Sequence, residues 1–191
     1  MKRIILIGAH GTGKSTLAIE YKKRYSAYIN EGYGRIVNVW QNENLKGHEQ
    51  FDSDTAFKVQ QLISNLTLER FKADYEREKS QTYIATRSPL DCLCYSYLYG
   101  YCNSKKFKEY YNELIKLDYS DCIFVYIPIE FPLEEDGVRP SGEERQKLYD
   151  IQIKRILRDF NIDYESVSGS VENRVEQLRQ IVESNGCKKC N

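Results

Sequence analysis

The sequence predicts an α/β domain: a five-stranded parallel sheet with helices on both faces. Three observations point there. Short apolar runs alternate with longer amphipathic segments along the whole chain, the pattern of strand–helix crossovers. The first run, residues 2–7, is continuously apolar after its basic start, as in a parallel strand buried on both faces. A glycine-rich loop then separates that run from a helix-forming segment.

Each element has a local signal. Residues 14–24 read as a helix and 27–30 as a short second strand. Residues 54–79 place apolar side chains at 57, 59, 62, 63, 66, 68 and 71, a helical rhythm with a charged opposite face. Residues 82–86 (TYIAT) form a third strand. Pro89 suits the first helical position of a segment that runs to about Leu98 and ends before Gly100. Residues 105–117 are amphipathic, 122–127 (CIFVYI) a fourth strand, and 134–142 a charged loop. A helix over 143–160, a fifth strand over 163–167 and a closing helix over 171–183 complete the chain. Crossovers between parallel strands are expected to be right-handed.

At 191 residues, with 41% hydrophobic and 29% charged residues, the chain suits one globular domain, expected over 1–184 with a polar tail at 185–191. Lys+Arg and Asp+Glu both number 28, so no global positive charge favours a nucleic-acid partner. The apolar stretch after Met1-Lys2-Arg3 is too short for a signal peptide, and no run approaches a membrane span, so a cytoplasmic location is expected. Cys187 and Cys190 have CxxC spacing. Without a second pair, and with two His in the chain, they do not complete a four-ligand zinc site.

The loop itself carries chemistry. Gly8-Ala9-His10-Gly11-Thr12-Gly13-Lys14-Ser15 matches GxxxxGK[ST] in full, between a strand and a helix. Gly8, Gly11 and Gly13 allow the backbone to turn its N–H groups toward a phosphate. The following helix adds its N-terminal dipole. Lys14 is expected to reach the β- and γ-phosphates, and Ser15 to offer its hydroxyl to Mg²⁺. Thr12 and Thr16 join this nucleotide-binding set. His10 fills a variable loop position, where it either touches phosphate or is merely exposed.

Such loops serve switches, motors and kinases alike. A guanine-reading NKxD segment is missing after the fourth strand, which runs into Pro128-Ile129-Glu130-Phe131-Pro132. The third strand ends Ala85-Thr86-Arg87-Ser88-Pro89-Leu90-Asp91, not in the paired acids of a ring ATPase. Together with Asn30-Glu31-Gly32-Tyr33-Gly34-Arg35 and Glu135-Asp136-Gly137-Val138-Arg139, these segments fall in the order seen in phosphate-loop (P-loop) nucleoside and nucleotide kinases. Over most of its length the chain resembles the nicotinamide riboside kinase domain of the NadR type and related phage and bacterial ATPase/kinase proteins. Deoxynucleoside and thymidylate kinases are more distant relatives.

That resemblance implies the P-loop NTPase fold with strand order 2-3-1-4-5, and ATP and Mg²⁺ as donor and cofactor. It implies transfer of the γ-phosphoryl group to a nucleoside-like acceptor. Glu31 takes the place of the acid that faces the acceptor, with Arg35 as its partner or an anion clamp. Arg87 and Ser88 match a segment whose arginine contacts acceptor or phosphate. The relatives place Asp before that arginine; here it is Thr86, which could hold a metal-bound water, or Asp91 or Glu31 could take over. A lid is expected over about 133–145, with Arg139 and Arg145 supplying charge to the transferring group. Gln60 and Gln61 lie where distant relatives pair with a base, and Phe57, Tyr33 and Trp40 are stacking candidates. Asp91 completes the substrate-binding set. Phosphorylation of a nucleoside monophosphate, phosphorylation of a modified base within DNA, and a nucleotide-dependent module without an acceptor are the competing readings.

Overall fold

The computed structural model describes residues 3–33, 53–74, 81–132 and 142–186. Five strands form one sheet in the order β2-β3-β1-β4-β5, every pair parallel. They are β1 (Arg3–Ile7), β2 (Ala27–Asn30), β3 (Thr82–Ala85), β4 (Cys122–Tyr126) and β5 (Tyr164–Ser166). The helices are α1 (Lys14–Arg24), α2 (Ser53–Ala73), α3 (Pro89–Leu98), α4 (Lys105–Leu114), α5 (Glu143–Asp159) and α6 (Val171–Gly186).

The strand residues alternate between two cores, as a period of two requires. Ile5, Ile7, Ala85, Phe124 and Tyr126 meet Leu68, Phe71, Leu90, Leu93, Phe107 and Tyr149 on the face covered by α2, α3, α4 and α5. Ile4, Leu6, Ile84, Ile123 and Val125 meet Leu17, Tyr21, Val175 and Leu178 on the face covered by α1 and α6. Both faces being buried explains why β1 and β4 read as unbroken apolar runs. Arg3, at the start of β1, is buried with Asp121 at 3.0 Å, the Phe71 carbonyl at 3.1 Å and the Phe71 ring 4.2 Å away.

Several expected ends move. The α4 segment is shorter than 105–117, because Lys116 and Leu117 bond back only three residues, to Glu113 and Leu114, in a tighter turn. β3 stops at Ala85, although the Thr86 N–H still reaches the Asn30 carbonyl. β5 is trimmed by one residue at each end, although the Val167 N–H still reaches the Tyr126 carbonyl. Of the expected lid, residues 133–141 lie outside the described residues, as do 75–79 of the segment expected to extend α2.

Candidate functional site

The phosphate loop joins β1 to α1 at the carboxyl end of the sheet, where open α/β folds place their ligands. Gly8, Gly11 and Gly13 have φ of 139°, 76° and 90°, a region that L side chains avoid. At Gly8 a Cβ would also run into the Ile127 carbonyl. Thr12 Oγ1 closes the loop by donating to the Ala9 carbonyl at 2.9 Å. The Lys14 ammonium lies over the loop, donating to the Gly8 and Ala9 carbonyls at 2.6 Å each. α1 begins with no side-chain cap and no acidic residue in its first turn. Its first N–H groups and dipole are therefore left to an anion. Ser15 and Thr16 are exposed at that end.

Two distant side chains brace the loop by its carbonyls. Gln146 on α5 donates to the His10 carbonyl at 2.7 Å. Arg174 on α6 donates to the Thr12 carbonyl at 2.7 Å and pairs with Glu130 at 2.5 Å. Glu130 also accepts from the Gly169 N–H, so β4 and the turn before α6 are tied to the loop. The Arg174 hydrogen bond and the Gly169 N–H hold the Glu130 carboxyl below its ordinary pKa. The reading of His10 as exposed is corrected: it is buried.

The turn from β3 to α3 presents Arg87. Its stem lies against Gly32 so closely that a Cβ there would overlap the Arg87 Cβ and Cγ. Its Nη1 is buried without a hydrogen-bond partner among the described residues, 3.5 Å from Asp91 Oδ1. The guanidinium carbon stands 5.7 Å from the Tyr95 ring centre. Thr86 is buried and its hydroxyl donates to the Asn30 carbonyl at 3.4 Å, joining β3 to β2.

Several expected substrate contacts are not brought together. Asp91 is corrected from a substrate ligand to an internal cap: it is 1% exposed, and Oδ2 accepts from the Ser88 N–H and hydroxyl while Oδ1 accepts from Tyr149. Gln60 is also corrected, since its amide is buried against Cys92, donating to that carbonyl at 3.2 Å. Phe57, Gln60 and Gln61 line a cavity of about 410 Å³ between α2 and α4, shared with Ser96 and Tyr110. Neither Glu31, Arg87 nor any phosphate-loop residue lines it. The exposed Glu31 instead borders a cavity of about 570 Å³ with Ile19, Lys22, Ile29 and Arg70. Tyr33 has the Arg70 guanidinium 5.5 Å from its ring centre, and Arg145 sits 5.9 Å from the Tyr99 ring centre. Arg35, Trp40, Arg139, Cys187 and Cys190 lie outside the described residues.

A family model described as an AAA domain matches residues 3–174. The chain belongs to this AAA-domain family. A search of curated proteins gives no match. Among solved structures, this AAA domain is similar to a deoxyadenosine kinase from M. mycoides with products dCMP and a flexible dCDP bound. The TM-score is 0.69 at 17% identity, over 95% of this chain and 99% of that one. It is also similar to thymidylate kinases from Ehrlichia chaffeensis and Candida albicans. The first gives a TM-score of 0.60 at 14% identity over 95% and 98% of the two chains, and the second 0.59 at 18% over 97% and 92%. These likenesses establish the P-loop NTPase fold.

Within the AAA domain, a hard cation such as Mg²⁺ takes oxygen ligands, phosphates and water. Among the described residues no group of three His, Cys, Asp or Glu side chains could hold a metal. The exposed Ser15 hydroxyl beside the uncapped start of α1 fits a cation held mostly by phosphate and water. No described helix is long and apolar enough to cross a membrane. Gln146, Arg174, Tyr149 and Gly32 were not singled out from sequence. Only Gly32, between Glu31 and an aromatic residue, carried a local cue, a glycine at the end of a strand.

Proposed function

We propose that this AAA-domain protein is an ATP-dependent phosphotransferase acting on a nucleoside-like small molecule. The observation that carries the reading is the phosphate loop: three left-handed glycines, an uncapped α1 and the Lys14 ammonium lying over the loop. Arg87 at the neighbouring strand end adds a half-buried cation with one donor that makes no hydrogen bond among the described residues. Phosphoryl transfer needs positioning and charge neutralisation more than covalent help, and this set supplies both.

In this reading Gly8, Gly11, Thr12 and Gly13 wrap the phosphates with backbone N–H groups. Lys14 swings from its two carbonyl partners to the β- and γ-phosphates. Ser15 holds Mg²⁺, with Thr86 orienting a bound water, and Thr16 meets the phosphates beyond it. When bound, Mg²⁺ neutralises charge on the transferring group. Glu31 accepts the proton of the attacking hydroxyl. Arg87 clamps the anion, and Arg139 and Arg145 close on it from the lid side. Tyr33, Arg35, Phe57 and Gln61 are the acceptor contacts retained; for Phe57 and Gln61 this requires the acceptor to reach the α2 face. Nicotinamide riboside is one acceptor of this class.

A second reading is phosphorylation of a nucleoside monophosphate. The Arg87 Nη1, which makes no hydrogen bond among the described residues, favours it, because a guanidinium fork suits a phosphate acceptor. ADP release is measured with ATP, Mg²⁺ and a panel of nucleosides and their monophosphates. Stimulation by a panel member, abolished by Lys14→Ala and lowered on the order of a hundredfold by Glu31→Gln, supports the kinase reading. Turnover that no panel member stimulates sinks it in favour of an ATPase without an acceptor.

A further inference from the structure

We propose that α5 is the strut that sets Arg87 against the phosphate loop, with Tyr149 and Gln146 as positioning residues. Tyr149 keeps the Asp91–Arg87 ion pair from closing, so that the guanidinium stays presented to an anion, and Gln146 holds the loop. The proposal rests on the reading of Arg87 as the anion clamp.

Tyr149 is fully buried, and its hydroxyl donates to Asp91 Oδ1 at 2.5 Å. That same oxygen stands 3.5 Å from Arg87 Nη1. The helix cap does not need it: the Ser88 N–H and hydroxyl are both satisfied by Asp91 Oδ2, at 2.7 and 2.8 Å. Tyr149 therefore takes one lone pair of the carboxylate oxygen that faces Arg87 and holds that oxygen at the longer ion-pair distance. Burial pushes its phenol well above its ordinary pKa, so the hydroxyl stays a donor. Its ring packs 4.9 Å from Tyr95, whose own ring lies beside the Arg87 guanidinium.

Without the hydroxyl, Asp91 Oδ1 loses its donor inside the protein. Leaving that charged acceptor unmade is costly, and Arg87 Nη1 is the nearest available replacement. A small movement would shorten the 3.5 Å ion pair into a direct hydrogen bond, drawing the guanidinium away from the ligand side.

Gln146 stands three residues earlier on α5, which puts it on the same helix face. It is 2% exposed and bonds the His10 carbonyl at the centre of the phosphate loop. A buried amide is retained where it has a partner, and this one is a loop carbonyl 136 residues away. One face of α5 thus grips both halves of the site: the donor cradle through Gln146 and the clamp through Asp91.

The test is a double-mutant cycle on the full chain, reading turnover and AMP-PNP affinity. Tyr149→Phe should lower acceptor-stimulated turnover about tenfold or more while leaving AMP-PNP affinity unchanged. In the Arg87→Lys background it should have almost no further effect. Gln146→Leu should instead weaken AMP-PNP binding severalfold. Independent, multiplying effects of Tyr149→Phe and Arg87→Lys would overturn the proposal, as would unchanged AMP-PNP affinity in Gln146→Leu. If Tyr149→Phe yields no folded protein, Asp91→Asn takes its place: it removes the charge that would draw Arg87 away, so turnover should stay within a few-fold of wild type, and a loss of about tenfold or more that multiplies with Arg87→Lys would overturn the proposal. A panel without any stimulating acceptor counts against the kinase reading alone, and the cycle is then read on basal ATP hydrolysis.

Discussion

Arg174 reaches across the fold to donate to the Thr12 carbonyl at 2.7 Å, joining the last helix to the centre of the phosphate loop. The contact spans 162 residues of sequence. A loop built from left-handed glycines has little stiffness of its own, because glycine loses the most backbone freedom on ordering. Its shape is held by groups outside it, and among the described residues Arg174 and Gln146 reach its carbonyls from other helices.

Arg174→Met should therefore act on stability and on binding together. It takes the Arg174 donor from the Thr12 carbonyl and leaves the Glu130 carboxylate with the Gly169 N–H alone of its two donors among the described residues. The carboxylate is partly exposed and turns to water, so the expected loss is about 2 kcal/mol. For a domain of this size that lowers Tm by roughly 5 °C, seen in a thermal melt. AMP-PNP affinity by calorimetry should fall as well, and an unchanged affinity would show that the loop holds its shape unaided.

The same pair predicts a pH dependence. The folded-state pKa of Glu130 is depressed, by Arg174 first and by the Gly169 N–H second. A depressed carboxylate contributes stability above its unfolded value, near 4.3, and loses it as the pH falls through the lower folded value. Other lowered carboxylates, such as Glu113 and Glu176, add to the acid sensitivity of the whole chain. The specific expectation is a difference: the stability gap between wild type and Glu130→Gln is full at pH 7 and narrows below about pH 4. Melting curves taken from pH 7 to pH 3 would measure it, and a constant gap would contradict the assignment.

Gly32 and Gly142 should answer the same substitution in opposite ways. Gly32→Ala drives a methyl into the Arg87 stem, against atoms too close to the backbone to swing aside. Turnover should drop on the order of tenfold or more through displacement of Arg87, a distortion of the kind that costs a positioned group its function. Gly142 meets no described atom within 4 Å of its Cβ direction and has extended backbone, so Gly142→Ala should be tolerated. Steady-state turnover and melting curves of the two variants make the comparison. Equal behaviour would remove Gly32 from the site.

The parts that were readable in advance are those whose cause is local. The phosphate loop was readable because a backbone wrapped around an anion needs glycine at Gly8, Gly11 and Gly13 wherever it occurs. The strands and helices were readable because burial on two faces, or on one stripe, leaves a period in the chain. The strand order came from resemblance to known kinases, and the pairing of β1 with β3 and β4 bears it out.

What only the tertiary structure decided is which polar side chains have already met a partner. Arg87 and Asp91 stand four residues apart and look alike as ligands in sequence. Folding ties Asp91 to Ser88 and Tyr149 and leaves one Arg87 donor open. Gln60, Gln61 and Glu31 look like one acceptor site in sequence, yet they border different cavities, because α2 turns its glutamines toward α4. Gln146 and Arg174 carry no motif at all. Each meets a backbone carbonyl, a partner that every residue offers. The composition of the loop is therefore written in the chain itself, while the groups that hold it in shape are set by packing between residues far apart in sequence.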